Sequence, residues 1–340
     1  MIRGIAAAAV DPAVSSAAQA TLEEGGGAVD AVVAGWFAAA GGSPGVLFAP
    51  LTLLVAGAGA GARAFDGRAA QPGLGAQRPR GFVRDADVSV GARVAVPRSL
   101  AAVTLAHGLR GRMALSTLSR AGVARAEALG AKQRASLLRS VGRAAALALQ
   151  SREVSRAFLA VGGPVAGGIV TEQDLEAALP AELDAKVLPV GQGGSVTVVP
   201  WELPGGWGRG AEVIVAVDGR GLVAALAYAP PRSQDEIKLP ELECSVGPDA
   251  EPVRRGITRV NPGTPLLAAA PIGVLGLPLG IAAAIGLPGA IGLDGDDLAG
   301  VAEAASFEAG LAALCRGRGR DTAIAAMRDA RDARAFVVRG

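Results

Sequence analysis

The chain is poor in the residues that most often carry chemistry or build wide cores. Aromatics make up 3% of 340 residues, with two Cys, one His and three Met. So few Cys and His exclude a zinc ribbon, a multi-Cys iron–sulfur site and a disulfide scaffold. An excess of one charge is also missing. Lys and Arg number 33 against 31 Asp and Glu, a net charge of +2, which excludes a globally basic nucleic-acid binder. Small apolar residues are abundant: hydrophobics are 51% and Gly numbers 49. A charged fraction of 19% beside so much apolar content is not that of a disordered chain. The core must be built from Ala, Val and Leu, so its layers must sit close together.

The start of the chain is a weak signal peptide. A single Arg and a short Ala run reach Asp11 and Pro12 before a strong apolar core can form. A cytoplasmic location is the expectation. Two uncharged stretches, 32–62 and 261–293, are long enough to span a bilayer. Both are interrupted by Gly and Pro, as at Gly41, Gly42, Pro44 and Pro50, and at Pro271, Pro278 and Pro288. Repeated Pro breaks the hydrogen bonding that a spanning helix needs, so both read as buried strands and tight turns.

Hydrophobic period and punctuation give a coarse map. Residues 13–24 read as a helix ended by Gly25–Gly27, and 28–40 as a nearly all-apolar, buried helix. Strands are expected at 51–55, 62–66, 195–199, 212–217 and 222–228, the last two joined across Asp218–Gly221. Residues 99–149 read as helix with breaks at Gly108 and Gly130. Thr171, followed by Glu172 and Asp174, opens a capped helix to 179. Helices are expected at 297–314 and 322–333, and a closing strand at 335–338.

Charge is unevenly spread. Between Ser89 and Arg152 lie eleven Lys or Arg and one acid, Glu127. This zone has no interleaved aromatics for base stacking. Two readings are open: a face matched to the molecule's own acids, such as 172–184, or a docking face for a protein partner. No nucleic acid is expected.

Seven segments then resemble, in order, one family. "EEGGGAVDAVVAGWFAA" (23–39) is similar to the N-terminal signature of γ-glutamyltranspeptidases. "FDGRAAQP" (65–72) resembles their Asp-x-Arg-Glu-x-Ala-Pro. "VAVPRSLAAVTLAHGLRGRM" (94–113) resembles a Val-Ala-Val-Pro-Gly helix start. "GGIVTEQDLEA" (167–177), "VAVDGRGLVAALAY" (215–228), "NPGTPLLAAAP" (261–271) and "GLPLGI" (276–281) follow. The resemblance implies an α+β fold: a four-layer αββα sandwich of the N-terminal-nucleophile hydrolase type in a single domain. Residues 1–206 would match the large subunit and 207–340 the small one.

The same resemblance implies that the catalytic machinery is gone. Family chemistry needs a Thr that self-cleavage frees, supplying both hydroxyl and amine. The register on Val217–Asp218 puts Ala211, Glu212 and Val213 where Thr-Thr-His is expected. No Ser, Thr or Cys lies between Val198 and Ala229 to replace it. The Ser-Ser pair that holds a substrate carboxylate falls on Leu267 and Ala268. The oxyanion Gly pair falls on Leu279 and Gly280. The family's substrate-binding Asn and Asp region falls near Pro231 and 247–252. The long section with the processing linker is missing, since Glu212 follows the Pro-rich turn at 200–206 almost at once. Only Arg68 matches the family's substrate-carboxylate Arg, with Ala69 in place of its Glu neighbour. Arg68 either holds a carboxylate ligand or pairs with an internal acid.

The remaining singular residues read as structural. They are His107, Ser195 at a strand start, Cys244 and Cys315 as buried thiols, and Trp36, Trp201 and Trp207 as packing. "GAGAGAR" (57–63) lacks the Gly-Lys-Ser/Thr ending of a phosphate loop and reads as a turn. The expectation is an uncleaved pseudoenzyme acting as a structural or interaction subunit, in a homo-oligomer or with another protein, with no cofactor and no metal. The alternatives are an amidase or acyltransferase with non-standard residues, or a binder of a small carboxylate through Arg68.

Overall fold

The computed structural model describes residues 4–59, 61–77, 81–191, 193–204, 209–329 and 332–340. Its elements begin with β1 (Ala6–Ala9), α1 (Pro12–Glu23), α2 (Ala28–Gly42), β2 (Leu51–Gly57) and β3 (Arg63–Gly67). A helical block follows: α3 (Ser99–Arg110), α4 (Leu115–Leu118), α5 (Arg120–Ala128), α6 (Lys132–Ala144), α7 (Arg152–Gly162) and α8 (Glu172–Glu176). Strands β4 (Ala181–Asp184), β5 (Lys186–Val190), β6 (Gly194–Val198), β7 (Glu212–Val217) and β8 (Leu222–Tyr228) come next. Then come β9 (Ile237–Leu239), β10 (Cys244–Val246), β11 (Ile272–Leu277) and β12 (Ile281–Gly286). Two helices, α9 (Gly295–Glu303) and α10 (Phe307–Gly317), precede β13 (Thr322–Arg328) and β14 (Ala333–Arg339).

Two six-stranded antiparallel sheets face each other, in the orders β1-β7-β8-β2-β3-β4 and β14-β13-β12-β11-β6-β5. Between them lie small side chains, among them Val213, Val215, Ala225, Ala227, Ala284 and Ala326. The outer face of the first sheet is covered by α1–α3 with the helical block around them. The outer face of the second is covered by α9 and α10. The four layers are therefore α, β, β, α, as the resemblance implies. Among the described residues, no helix is long and apolar enough to cross a membrane.

The shortage of large side chains is legible in the packing. Helix α2 is buried along nearly its whole length. It can be so enclosed because glycines let its neighbours approach backbone to backbone. A Cβ on Gly41 would fall inside the contact distance of the Gly122 carbonyl oxygen in α5, and a Cβ on Gly122 would overlap the Phe37 carbonyl.

Several expected elements change. The helix does not break at Gly108, which stays inside α3 with open space around it. The break falls at 111–114, where the Gly111 N–H bonds the His107 carbonyl at 2.6 Å. The expected helix at 297–314 is two helices, split at 304–306. The expected helix at 322–333 is largely strand β13. Its alanines sit inside the sheet between β12 and β14, where close layers leave room for little more than a methyl group. Tertiary pairing overrides the local helical preference of Ala there. The alanine run at 6–9, too short and weakly apolar for a signal peptide, is edge strand β1, paired with β7. The 206/207 boundary and Trp207 lie outside the described residues.

Candidate functional site

The register of the first sheet brings three chain segments to one end. Leu51 pairs with Tyr228, and Tyr228 with Glu212. The residues just outside these strands, Pro50, Arg209 and Ala229, line a cleft of about 500 Å³. The segment after β10 adds Asp249 and Glu251, and Leu267 with Ala268 closes the wall. The Glu251 backbone is held by Gln71, whose Nε2 donates to the Glu251 carbonyl at 2.8 Å and whose Oε1 accepts from its N–H at 3.0 Å. Arg209 forms an ion pair with Asp249. Burial pushes the Asp249 carboxyl above its ordinary value, and Arg209 works against that shift. Asp235 also faces the cleft, so acids outnumber the one Arg.

Leu267 and Ala268 thus line the same cleft as Asp249 and Glu251. Ala211 lies two residues beyond Arg209 and is 1% exposed. Its amide N–H donates to the Ala290 carbonyl at 3.1 Å, and its own carbonyl accepts from the Gly289 N–H at 2.8 Å. Val213 points between the sheets, against Gly286. No Ser, Thr or Cys is among the described residues lining the cleft.

The positions expected for the oxyanion pair do not come to Ala211. Gly280, with φ +74°, lies in the short turn 278–280 that joins β11 to β12. That turn is at the far end of the hairpin from Pro271 and Leu287, which are bonded to each other beside the 289–290 turn. Six residues of strand, at roughly 3.3 Å each, separate the two ends. The Leu279 side chain lies outside those described. The segment that does pack on Ala211 is Gly286–Ile291, Gly-Leu-Pro-Gly-Ala-Ile. The N–H groups of Gly289 and Ala290 in that segment are both used within the fold. That of Gly289 bonds Ala211, and that of Ala290 bonds the Leu287 carbonyl at 3.1 Å.

Arg68 is bound to an internal acid. Asp66 and Arg68 are two residues apart at the end of β3, so their side chains share a face. Asp66 Oδ1 accepts from the Arg68 Nε and N–H, both at 3.0 Å, and Oδ2 accepts from Nη2 at 3.1 Å. The guanidinium carbon stacks 4.5 Å from the centre of the Trp201 ring. Arg98, which stands in place of the family's Gly after Pro97, completes the cluster. Its Nε donates to the Leu179 carbonyl at 2.8 Å, and its Nη1 lies 3.6 Å from Asp66 Oδ2. That Nη1 is buried and has no hydrogen-bond partner. Burial lowers the Arg98 pKa, with Asp66 opposing.

His107 is structural: its Nε2 is 2.8 Å from the Met113 carbonyl and 3.6 Å from Asp30. Ser195 lies in β6 against Gly276. Cys244 and Cys315 are buried free thiols on different sheets' flanks, and burial pushes the Cys244 thiol up to about 12. Of the 57–63 segment, Gly57 ends β2, Arg63 begins β3, and Gly57, Gly59 and Gly61 have positive φ. Among the described residues, no group of His, Cys, Asp and Glu could hold a metal ion.

Glu212 gives the cleft end a pH signature. Burial, and then the Asp11 carboxylate, hold its carboxyl above the ordinary value. The folded state therefore keeps the Glu212 proton more tightly than the unfolded state. Its stabilising share is complete below the ordinary carboxylate pKa and is lost as pH rises through the raised value. Glu212→Gln should match the parent's urea midpoint near pH 4 and equal or exceed it near pH 7. A variant weaker at pH 7 than at pH 4, relative to the parent, would contradict this.

The fold is the αββα sandwich of the N-terminal-nucleophile hydrolases. One similar structure is LmbA2991, with 15% identity, coverage of 99% of this chain and 98% of that one, and a TM-score of 0.70. Another is a cephalosporin acylase from Bacillus halodurans, with 13% identity, coverage of 81% and 75%, and a TM-score of 0.62. No family profile matches the sequence, and no curated protein is similar to it.

Proposed function

We propose that this chain is a non-catalytic γ-glutamyltranspeptidase-like protein that works as a structural or protein-interaction subunit and stays uncleaved. The observation behind this reading is Ala211. At the position of the nucleophile it has a methyl group, and both its backbone groups are engaged by the 289–290 turn. An N-terminal nucleophile needs a hydroxyl or thiol and a free amine in open space. The apolar Leu267–Ala268 wall agrees with the same reading. The test is intact and native mass of the purified protein, with a γ-glutamyl anilide assay alongside. One 33.6 kDa species, found in an oligomer or a heteromeric complex and without turnover, is the expected outcome. Two fragments, turnover above background, or a lone monomer would each count against it.

A second reading, a binder of a small carboxylate, is favoured by the Arg68 cluster. Two buried guanidinium groups share one carboxylate, and Arg98 Nη1 is left without a hydrogen bond. An uncompensated buried charge is costly, and an added anion would relieve it. Glutamate should then raise the melting temperature of the parent and not that of Arg98→Gln. No shift across small carboxylates would remove this reading.

A further inference from the structure

We infer that the α4–α6 helices form a binding site for a phosphate group, separate from the cleft. Residues 120, 123 and 127 lie along one face of α5, and 139 and 143 lie one turn apart on α6. Together with Ser116 of α4 they line a cup of about 310 Å³. That is near the lower bound of ligand pockets, which run from roughly 300 to 1,000 Å³. Its floor is apolar, at Val123, and its rim holds Arg120, Arg139 and Arg143 with Glu127 as the one acid.

The charges in this cup do not cancel. Glu127 pairs with Arg139. Arg120 and Arg143 form no ion pair and no hydrogen bond among the described residues. Three other bases of the zone are answered by acids inside the molecule: Arg98 by Asp66, Arg112 by Asp218, Arg125 by Asp11. The acids at 182 and 184 pair with Arg63 instead. Arg120 and Arg143 thus bring to a concavity between α5 and α6 charge that no acid among the described residues pairs.

The chemistry of such a rim selects its ligand. Guanidinium groups bind phosphate oxygens through paired N–H donors, and two free ones match a dianion better than a single carboxylate. The Ser116 hydroxyl adds a donor for a further oxygen. The cup has no aromatic for stacking a base, so recognition would rest on the phosphate and not on a nucleobase. The same group could be presented by a soluble phosphate ester or by a lipid headgroup.

The experiment is isothermal titration of the whole protein with inorganic phosphate and pyrophosphate. The expected result is one saturable site, weakened by added salt. Affinity should fall at least about tenfold in Arg120→Gln/Arg143→Gln. Both side chains are exposed, so the double variant should melt with the parent, and Arg339→Gln, an exposed Arg on β14, should bind normally. Co-sedimentation with phosphatidylcholine vesicles carrying phosphatidic acid separates the two sources. Vesicle binding that the double variant loses assigns a lipid headgroup. Phosphate binding without vesicle binding assigns a soluble ester. Failure of the parent to bind phosphate or pyrophosphate, or full binding by the double variant, overturns the inference.

Discussion

Gly122→Ala is expected to cost about 3 kcal/mol, near the upper end for an added methylene in a packed core. The new methyl group would meet the Phe37 carbonyl oxygen, and Gly41→Ala would meet that of Gly122. Neither obstacle is a side chain that can turn aside. Both belong to helix backbones, so α2 and α5 must separate, and every contact along their crossing loosens with them. Gly42→Ala is the matched control. Its methyl group would meet only the Arg125 guanidinium, the far end of a flexible chain, which can shift. Urea unfolding should therefore rank Gly122→Ala and Gly41→Ala well below Gly42→Ala. Equal midpoints for the three variants would show that the helix crossing is not held by backbone contact.

That crossing is also where composition and fold meet. A chain with 3% aromatics cannot fill wide gaps, so its layers close up until glycine and alanine are the residues that fit. The nearly all-apolar stretch at 28–40 and the β7–β8 hairpin were legible because period and turn chemistry agree with the tertiary context there. The segment at 322–328 was not, because Ala favours helix locally and only its two neighbouring strands make it β13. The site divides in the same way. Leu267 and Ala268 were singled out by motif order along the chain, and both line the cleft. The Arg209–Asp249 pair could not, since 40 residues separate its members and no motif links them. Gly-Leu-Pro occurs at 276–278 and again at 286–288, so sequence order alone does not say which packs on Ala211. Only the β11–β12 pairing tells which copy reaches Ala211. The basic zone's counter-charges were likewise sought at 172–184, whereas strand order brings Asp11, Asp66 and Asp218 to it.

Asp30→Ala should destabilise the protein by about 4 kcal/mol, the scale for removing one partner of a buried, charge-assisted network. Asp30 belongs to the Gly-Gly-Gly-Ala-Val-Asp signature, yet its role here is architectural. Its carboxylate is fully buried. Oδ2 accepts from the Gly27 N–H at 2.8 Å and closes the start of α2. Both oxygens also accept from the Arg112 N–H, at 3.1 and 3.0 Å. One side chain therefore ties the N-terminus of the buried helix to the turn that follows α3. Alanine would leave the Gly27 N–H buried and unpaired and would take the acceptor from the half-buried Arg112 N–H. Asn keeps one acceptor but turns an amide donor toward N–H donors, so Asp30→Asn should fall between Ala and the parent. Hydrogen exchange adds a local readout: the Gly27 and Arg112 amides should lose protection in Asp30→Ala, well before the β8 amides do. A variant that unfolds within about 1 kcal/mol of the parent, or one in which the two amides remain protected, would refute this account of the signature Asp.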